Sequence, residues 1–157
     1  MYSLLDVWNL SGNRTGGPTS GNSIVSANLR TIFYHQHLFL KAKIANFGGW
    51  DMPIHYGSQI AEHLHTRLSC CVFDVSHMAI VDLTGSEQKA FLQNTLANNI
   101  DKLSKNGQAL YSCMLNHEGG IIDDLIVYRM GDNYRLVINA ANALTDLEWL
   151  HELANSF

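Results

Sequence analysis

The chain has 157 residues, the length of one ordinary domain with its own hydrophobic core. Hydrophobic residues make up 46% and charged residues 15%, which excludes a wholly disordered protein. A net charge of -4 and the lack of any apolar run near the roughly 20 residues of a membrane span predict neither nucleic acid nor membrane as a partner.

The first 28 residues differ in composition from the rest. Residues 11–23 form a polar run rich in glycine and serine, without any periodicity that would bury an apolar face. We therefore predict a flexible extension over residues 1–28 and a domain over residues 29–157. A mitochondrial targeting segment is the less favoured interpretation, because the run contains few basic residues.

From Leu29 onward helices and strands are mixed. The pattern predicts a turn-rich loop at 48–53, helices over 58–68, 87–97 and 141–154, and strands over 79–83, 109–115, 121–128 and 134–138. Strands and helices do not alternate as parallel units with phosphate loops. The sequence therefore predicts an α+β fold with a mainly antiparallel sheet and flanking helices.

Two of these helices begin with capping signals. Ser58 can cap the first one, whose residues Ile60, Leu64 and Leu68 are spaced to form a buried stripe. The segment 84–87 matches a capping box for the second one, which should bury Phe91 and Leu92.

The most informative segment is the strand that follows Gly119-Gly120, because it contains the adjacent acids Asp123 and Asp124. Strand side chains alternate between faces, so Asp124 shares a face with Ile126 and Tyr128, and Asp123 lies on the other. The two acids cannot work side by side, which argues against a glycosidase or aspartic-protease pair. A ligand floor and a structural role for the doublet both remain open.

A second cluster of reactive side chains is Asp74, Ser76 and His77. It permits a nucleophile and base, but triad members are rarely so crowded in sequence, so a structural turn is favoured. Eight histidines lack metal-ligand spacing, and no metal is expected. Three cysteines, two of them adjacent, indicate a reducing compartment rather than a disulfide framework.

Four segments together carry a family resemblance. They are Phe47–Tyr56, Phe73–Met78, Ala109–Ser112 and Gly119–Leu125. In this order and spacing they closely resemble the T-protein of the glycine cleavage system, an aminomethyltransferase. The resemblance runs from about Leu29 to the C-terminus and does not include the first 28 residues.

This resemblance implies an activity and a site. The T-protein takes the aminomethyl group carried by lipoylated H-protein, releases ammonia and passes the one-carbon unit to tetrahydrofolate. Its three domains surround a folate channel, so residues 29–157 correspond to the N-terminal part of the folate-binding domain. The family's catalytic carboxylate falls on Asp124. Its folate-lining positions fall on Met78, Tyr111, Ile126, Tyr128 and Asn139.

The chain is less than half the usual length of the family, which predicts a truncated or split product with exposed apolar surface; activity of the isolated chain is not implied. Two alternatives stay open. One is a non-catalytic folate-binding protein of the same superfamily, and the other is the folate domain of an amine-demethylating oxidase. The expected location is the cytoplasm, with the mitochondrial matrix as the alternative.

Overall fold

The computed structural model of the chain describes residues 28–157 and, before them, the backbone of the strand Leu5–Trp8. These residues fall into two compact units: Met78–Phe157 together with that strand, and residues 28–77. Within this described part, no helix combines the length and apolar character needed to cross a membrane.

The elements confirm the α+β class. The strands are β1 (Leu5–Trp8), β2 (Leu29–Arg30), β3 (Lys43–Phe47), β4 (Trp50–His55), β5 (Ala79–Leu83), β6 (Ala109–Leu115), β7 (Ile121–Met130) and β8 (Asn133–Ile138). The helices are α1 (Tyr34–Phe39), α2 (Gln59–Leu68), α3 (Gln88–Thr95) and α4 (Ala143–Ala154), with a 3₁₀ turn at Ile100–Lys102.

The larger unit is a five-stranded antiparallel sheet in the order β1-β5-β8-β7-β6. Alternate residues of its strands, such as Val81, Val127 and Leu136, join Phe91 of α3 and Leu150 of α4 in one hydrophobic core. Because the two helices cover a single face, the opposite face of the sheet stays open within this unit.

The ends of α3 differ slightly from expectation. Phe91 and Leu92 are buried as predicted, but α3 starts after Glu87 without any side-chain cap and ends at Thr95. The predicted capping box therefore does not form. Burial of the apolar face holds this helix, which is the usual source of helix stability in proteins.

The strand β1 lies in the segment that the sequence predicts as a flexible extension. Leu5–Trp8 pair with β5 in an antiparallel register, from Leu5 opposite Leu83 to Trp8 opposite Ile80. A short strand can add to an otherwise open sheet edge through main-chain hydrogen bonds alone. Residues 9–27 of the predicted extension lie outside the described residues.

The smaller unit contains the three-stranded sheet β2-β4-β3. The predicted turn-rich loop at 48–53 is instead a hairpin: only Gly48 and Gly49 form its turn, with φ of 57° and 85°, and β4 begins at Trp50. Asp51 and Pro53 obscure the strand in the sequence, because both residue types are uncommon in strands. Asp51 sits in β4 because Arg30 and Asn28 both donate hydrogen bonds to its carboxylate.

Helix α2 of this unit has the predicted bounds but not the predicted burial. Ser58 caps it by accepting a hydrogen bond from the Ala61 N–H at 3.3 Å. The expected buried stripe is wrong for this chain, because Ile60 is 74% and Leu68 86% exposed. Periodicity identifies the apolar side of a helix, but burial needs a packing partner, and no described element of this unit covers that side.

The two capping signals predict unequal responses to mutation. We expect Ser58→Ala to destabilise α2 by about 1 kcal/mol, because it removes the acceptor for an N-terminal N–H group. Amide hydrogen exchange of Gln59–Leu68 should then accelerate about fivefold. Ser86→Ala, at an exposed serine just before α3, where no side-chain cap hydrogen bond forms, is the matched control and should leave exchange in α3 unchanged. Equal effects of the two substitutions would contradict the assignment.

Candidate functional site

The open face of the larger sheet gathers the residues that the sequence singled out. Ser112, Met114, Asp123, Leu125 and Val127 are buried toward the helices, so their sequence neighbours on β6 and β7 point to the open face. The predicted alternation of Asp123 and Asp124 is therefore what the strand shows. The open face carries Tyr111, Cys113, Asp124, Ile126, Tyr128, Arg135, Val137, Ile80 and Asp82.

Strand register brings these side chains next to one another. Ile126 of β7 lies between Tyr111 of β6 and Val137 of β8, and Cys113 lies opposite Asp124. The backbone at Tyr111 is held from outside the sheet, because its carbonyl accepts a hydrogen bond of 3.0 Å from the Asn98 side chain. The face is thus a rigid floor rather than a loop site.

The turn between β6 and β7 sets that register. Asn116 Oδ1 accepts hydrogen bonds from the N–H groups of Glu118 and Gly120, and the Asn116 N–H donates to the Gly120 carbonyl at 2.8 Å. Gly119 has φ of 81°, a conformation that favours glycine. A Cβ at Gly120 would lie 2.9 Å from the Asn116 side chain and would push that amide away from the N–H groups whose hydrogen bonds it accepts.

Asp124 is exposed on this floor and is held by two neighbours. The Asn139 side-chain N–H₂ donates to the Asp124 carbonyl at 2.9 Å and lies 3.5 Å from its carboxylate Oδ1. On the other side, a hydrogen bond to the Asp124 carboxylate raises the pKa of the Tyr111 hydroxyl. The carboxylate is therefore oriented by an amide and a phenol while remaining accessible to a ligand.

Beneath the floor, Asp123 and Asp146 form a carboxyl pair. Asp123 is 7% exposed and accepts a hydrogen bond of 3.0 Å from the same Asn139 amide. Burial alone would raise the pKa of Asp123, but hydrogen bonds from Asp146 and Asn139 outweigh it, and the pKa is lowered. For Asp146 in α4, burial, the hydrogen bond to Asp123 and the charges of Asp123 and Asp124 raise the pKa to about 8.

A salt bridge crosses the same open face. Arg135 of β8 binds both carboxylate oxygens of Asp82 of β5, at 2.6 and 2.8 Å. Their strand register places them directly opposite each other, and Tyr128 is the other cross-strand neighbour of Arg135. The two-point geometry fixes the guanidinium beside the tyrosine.

Comparison with known proteins agrees with this floor. Residues 33–156 match the family described as the GCVT N-terminal domain.

The chain belongs to the GCVT N-terminal domain family.

Its relatives in this family include bacterial aminomethyltransferases. The chain is 56% identical over 129 residues to the aminomethyltransferase of Stenotrophomonas maltophilia and 53% identical over 128 residues to that of Pseudomonas syringae. Each alignment covers 82% of this chain but only 35% and 36% of the relative, respectively. The chain thus spans about a third of the length of the curated relatives it matches.

A solved structure gives the same result. The chain is similar to the crystal structure of the glycine cleavage system aminomethyltransferase T from Bartonella henselae, with a TM-score of 0.72 and 36% identity. That match covers 82% of this chain and 36% of the other. The α+β fold of this GCVT N-terminal domain therefore corresponds to part of a glycine cleavage system aminomethyltransferase, as the resemblance implied.

Within this family member, the predicted site residues converge on one region. Asp124, Tyr111 and Asn139 interact directly, and Ile126 and Tyr128 follow Asp124 on the same face of β7. Met78 is half-buried and directly precedes β5, whose first residue pairs with the last residue of β8, next to Asn139. Their roles toward a ligand remain predictions.

Sequence reasoning missed three residues of this region. Asn142 makes no side-chain cap hydrogen bond to α4, and its side chain instead forms a hydrogen bond with Asp123 that lowers the pKa of that acid. Asp146 and Arg135 are the other two. A signal for Asp146 was available in the sequence. The helical spacing of Ala143, Leu147 and Leu150 places this acid on the buried face of α4.

The Asp74 cluster, in the smaller unit, is a structural network. Asp74 accepts hydrogen bonds from the Ser76 hydroxyl at 2.6 Å and the Ser76 N–H at 3.0 Å, and His37 Nε2 lies 2.7 Å from its other oxygen. His77 instead packs edge-on against the rings of Phe47 and Trp50. Serine and base are therefore not aligned for nucleophilic catalysis, which supports the interpretation as a turn.

Three further features concern metal ligands, thiols and a groove. Among residues 28–157, no group of three or more potential ligands is arranged to hold a metal ion. Cys70 and Cys71 are exposed free thiols. A groove of about 550 Å³ in the smaller unit is lined mainly by apolar side chains, including Phe33, Leu40 and Phe73.

Proposed function

We propose that this chain provides the folate-binding floor of an aminomethyltransferase of the glycine cleavage system. The reaction transfers the one-carbon unit from the aminomethyl group on lipoylated H-protein to tetrahydrofolate, with release of ammonia. The observation that carries the proposal is the Asp124 carboxylate, accessible on a rigid sheet face between Tyr111 and Asn139. The similarity to bacterial aminomethyltransferases supports the same reaction.

Asp124 is the proposed catalytic carboxylate. A reduced folate attacks the aminomethyl carbon through an amine nitrogen, which becomes positively charged as the new C–N bond forms and the bond from that carbon to the lipoyl sulfur breaks. A second folate nitrogen then displaces ammonia from the same carbon, which completes the methylene bridge. A carboxylate beside that nitrogen stabilises the developing charge and accepts the proton that it loses. The Tyr111 and Asn139 hydrogen bonds fix the carboxylate, so little reorganisation is needed during the reaction.

The other floor residues are proposed to bind the pterin. Tyr111 and Tyr128 offer aromatic surfaces on which a flat heterocycle can stack. Ile126 lies opposite Tyr111 and two residues before Tyr128, so it is the apolar neighbour of both. The Asn139 N–H₂ group is already engaged with Asp123 and Asp124, so its free carbonyl oxygen is the atom that would accept an N–H from the ligand. Met78 adds an adaptable apolar contact at the adjoining sheet end.

The complete reaction is proposed to use further parts of the kind that the relatives have, because the matched segment is only 35% and 36% of their length. Lipoylated H-protein is proposed to bind with the help of those parts. The open floor is accordingly proposed to work together with those parts. Because the relatives named here are bacterial, we propose that the protein acts in the cytoplasm.

A chimera tests the function directly. Residues 29–157 replace the matching segment of the Stenotrophomonas maltophilia enzyme, whose sequence is 56% identical. We expect the chimera to form methylenetetrahydrofolate from aminomethyl-lipoyl H-protein at a rate within about tenfold of the parent, because the side chains of the open sheet face keep their positions.

The control is the same enzyme with its matching segment deleted. It should be inactive. A folded chimera that binds tetrahydrofolate but produces no methylenetetrahydrofolate would overturn the catalytic proposal and favour the non-catalytic folate-binding alternative.

A further inference from the structure

The most unusual group in the larger unit is the carboxyl of Asp146, in the first turn of α4. It is 0% exposed. Within the described residues, neither of its oxygens accepts a hydrogen bond from an N–H or hydroxyl group, and Asp123 Oδ2 also lacks such a donor. A buried carboxylate without a donor is strongly disfavoured. Two adjacent carboxyls in this condition are compatible with the fold only if they share a proton.

The proton belongs on Asp146 rather than on Asp123. Asp123 already receives the Asn139 amide, which favours its ionised form, whereas Asp146 has only Asp123 as a polar partner. The helix N-terminus favours a charged Asp146, but full burial beside two other acids opposes this more strongly. A protonated Asp146 therefore donates its O–H to Asp123.

The Asn139 amide connects this buried pair to the open face. The same Nδ2 lies 3.0 Å from Asp123 Oδ1, 2.9 Å from the Asp124 carbonyl and 3.5 Å from the Asp124 carboxylate. The Asn139 amide keeps these contacts only while the Asp123 carboxylate stays in its present position. Ionisation of Asp146 would remove the donor to Asp123 and set two like charges against each other.

We propose that Asp146 is a positioning residue for Asp124: it keeps its proton at neutral pH, donates a hydrogen bond to Asp123, and so holds the Asn139 amide against Asp124. Only the consequence for tetrahydrofolate binding rests on the proposed function. The proton and its effect on Asn139 do not.

The titratable groups around Asp146 are few. Asp123 and Asp124 face it from β7 and disfavour its charge. His117, in the turn between β6 and β7, meets the ring of Trp149 on the same helix, at a centroid distance of 4.9 Å. Because the pKa of Asp146 is raised to about 8, its proton should be lost near that pH.

The test follows the Asn139 side-chain amide by NMR in the full chain. We expect its resonances to titrate near pH 8, and a carboxylic-acid C=O band to be visible by infrared spectroscopy at pH 6.5. Asp146→Asn, which keeps a donor to Asp123 but cannot ionise, should abolish both signals. Asp123→Asn should move the titration to lower pH, because Asp146 then loses a charged neighbour while its burial remains.

Glu148→Gln is the matched control, an exposed acid on the same helix, and should leave the titration unchanged. Apparent tetrahydrofolate affinity should fall about tenfold between pH 7 and pH 9 in the wild-type chain, because only the protonated fraction holds the Asn139 side chain, which is proposed to contact the folate. It should stay constant in Asp146→Asn.

An Asn139 amide that does not titrate near pH 8, or that titrates equally in Asp146→Asn, would overturn the proposal. So would a constant folate affinity across this range in a chain whose amide does titrate. If the amide behaves as expected and tetrahydrofolate does not bind at pH 7, the proposed function fails while the role of the proton in holding Asn139 stands.

Discussion

Asp124→Asn in the chimera is expected to lower turnover by about 10² to 10⁴-fold, the usual contribution of a general acid–base group. The amide keeps the shape of the side chain and can still interact with Tyr111, but it cannot take a proton from the folate amine. Affinity for tetrahydrofolate should change less than about threefold, because the floor that binds the pterin is intact. Turnover and binding are measured separately, by product formation and by calorimetry.

The matched control is Asp132→Asn, an exposed acid in the turn between β7 and β8. It should leave both quantities unchanged. A loss of equal size in turnover and in affinity for Asp124→Asn would mean that Asp124 binds the folate equally well before and during the reaction, and would remove its catalytic role.

The largest stability effect is expected from Leu150→Ala. Leu150 of α4 is 0% exposed and joins the core between the helices and the covered face of the sheet. Truncation removes buried methyl groups and leaves a cavity, so the free energy of unfolding should fall by about 2–5 kcal/mol. That is a large part of the typical total of about 5–15 kcal/mol. Urea unfolding followed by circular dichroism measures the change.

Leu144→Ala provides the matched control, since it is the same substitution on the same helix at a residue that is 69% exposed. Its effect should stay within about 0.5 kcal/mol. Comparable losses at both positions would indicate that the face of α4 assigned to the core is wrong.

The sheet of the larger unit was largely predictable. Ala79–Leu83 and Ala109–Leu115 have the predicted bounds, and strand alternation placed Asp123 and Asp124 on opposite faces. These features depend on local periodicity and on turns with glycine, and both can be recognised from residues that are neighbours in the sequence. The family motifs then directed attention to Asp124, on the open face.

Features that depend on distant partners were not predictable. The hairpin of β3 and β4 contains Asp51, which needs Asn28 and Arg30 to be acceptable in a strand. The burial of Asp146 depends on a strand that lies elsewhere in the sequence, so helical spacing alone could not indicate its protonated state. For α2, the spacing gave the correct bounds and the apolar side, but whether that side is buried depends on another element packing against it.

The Gly119-Gly120 turn sets the register of β7 and thereby which of the two neighbouring acids, Asp123 or Asp124, lies on the open face of the sheet. Adjacent strand residues differ by half a turn, so a one-residue slip of β7 would send Asp124 into the hydrocarbon interior and bring Asp123 to the surface. A lengthened turn would therefore remove the proposed catalytic carboxylate from the open face without changing any side chain there, so the placement of that carboxylate depends on two residues that have no side chain of their own.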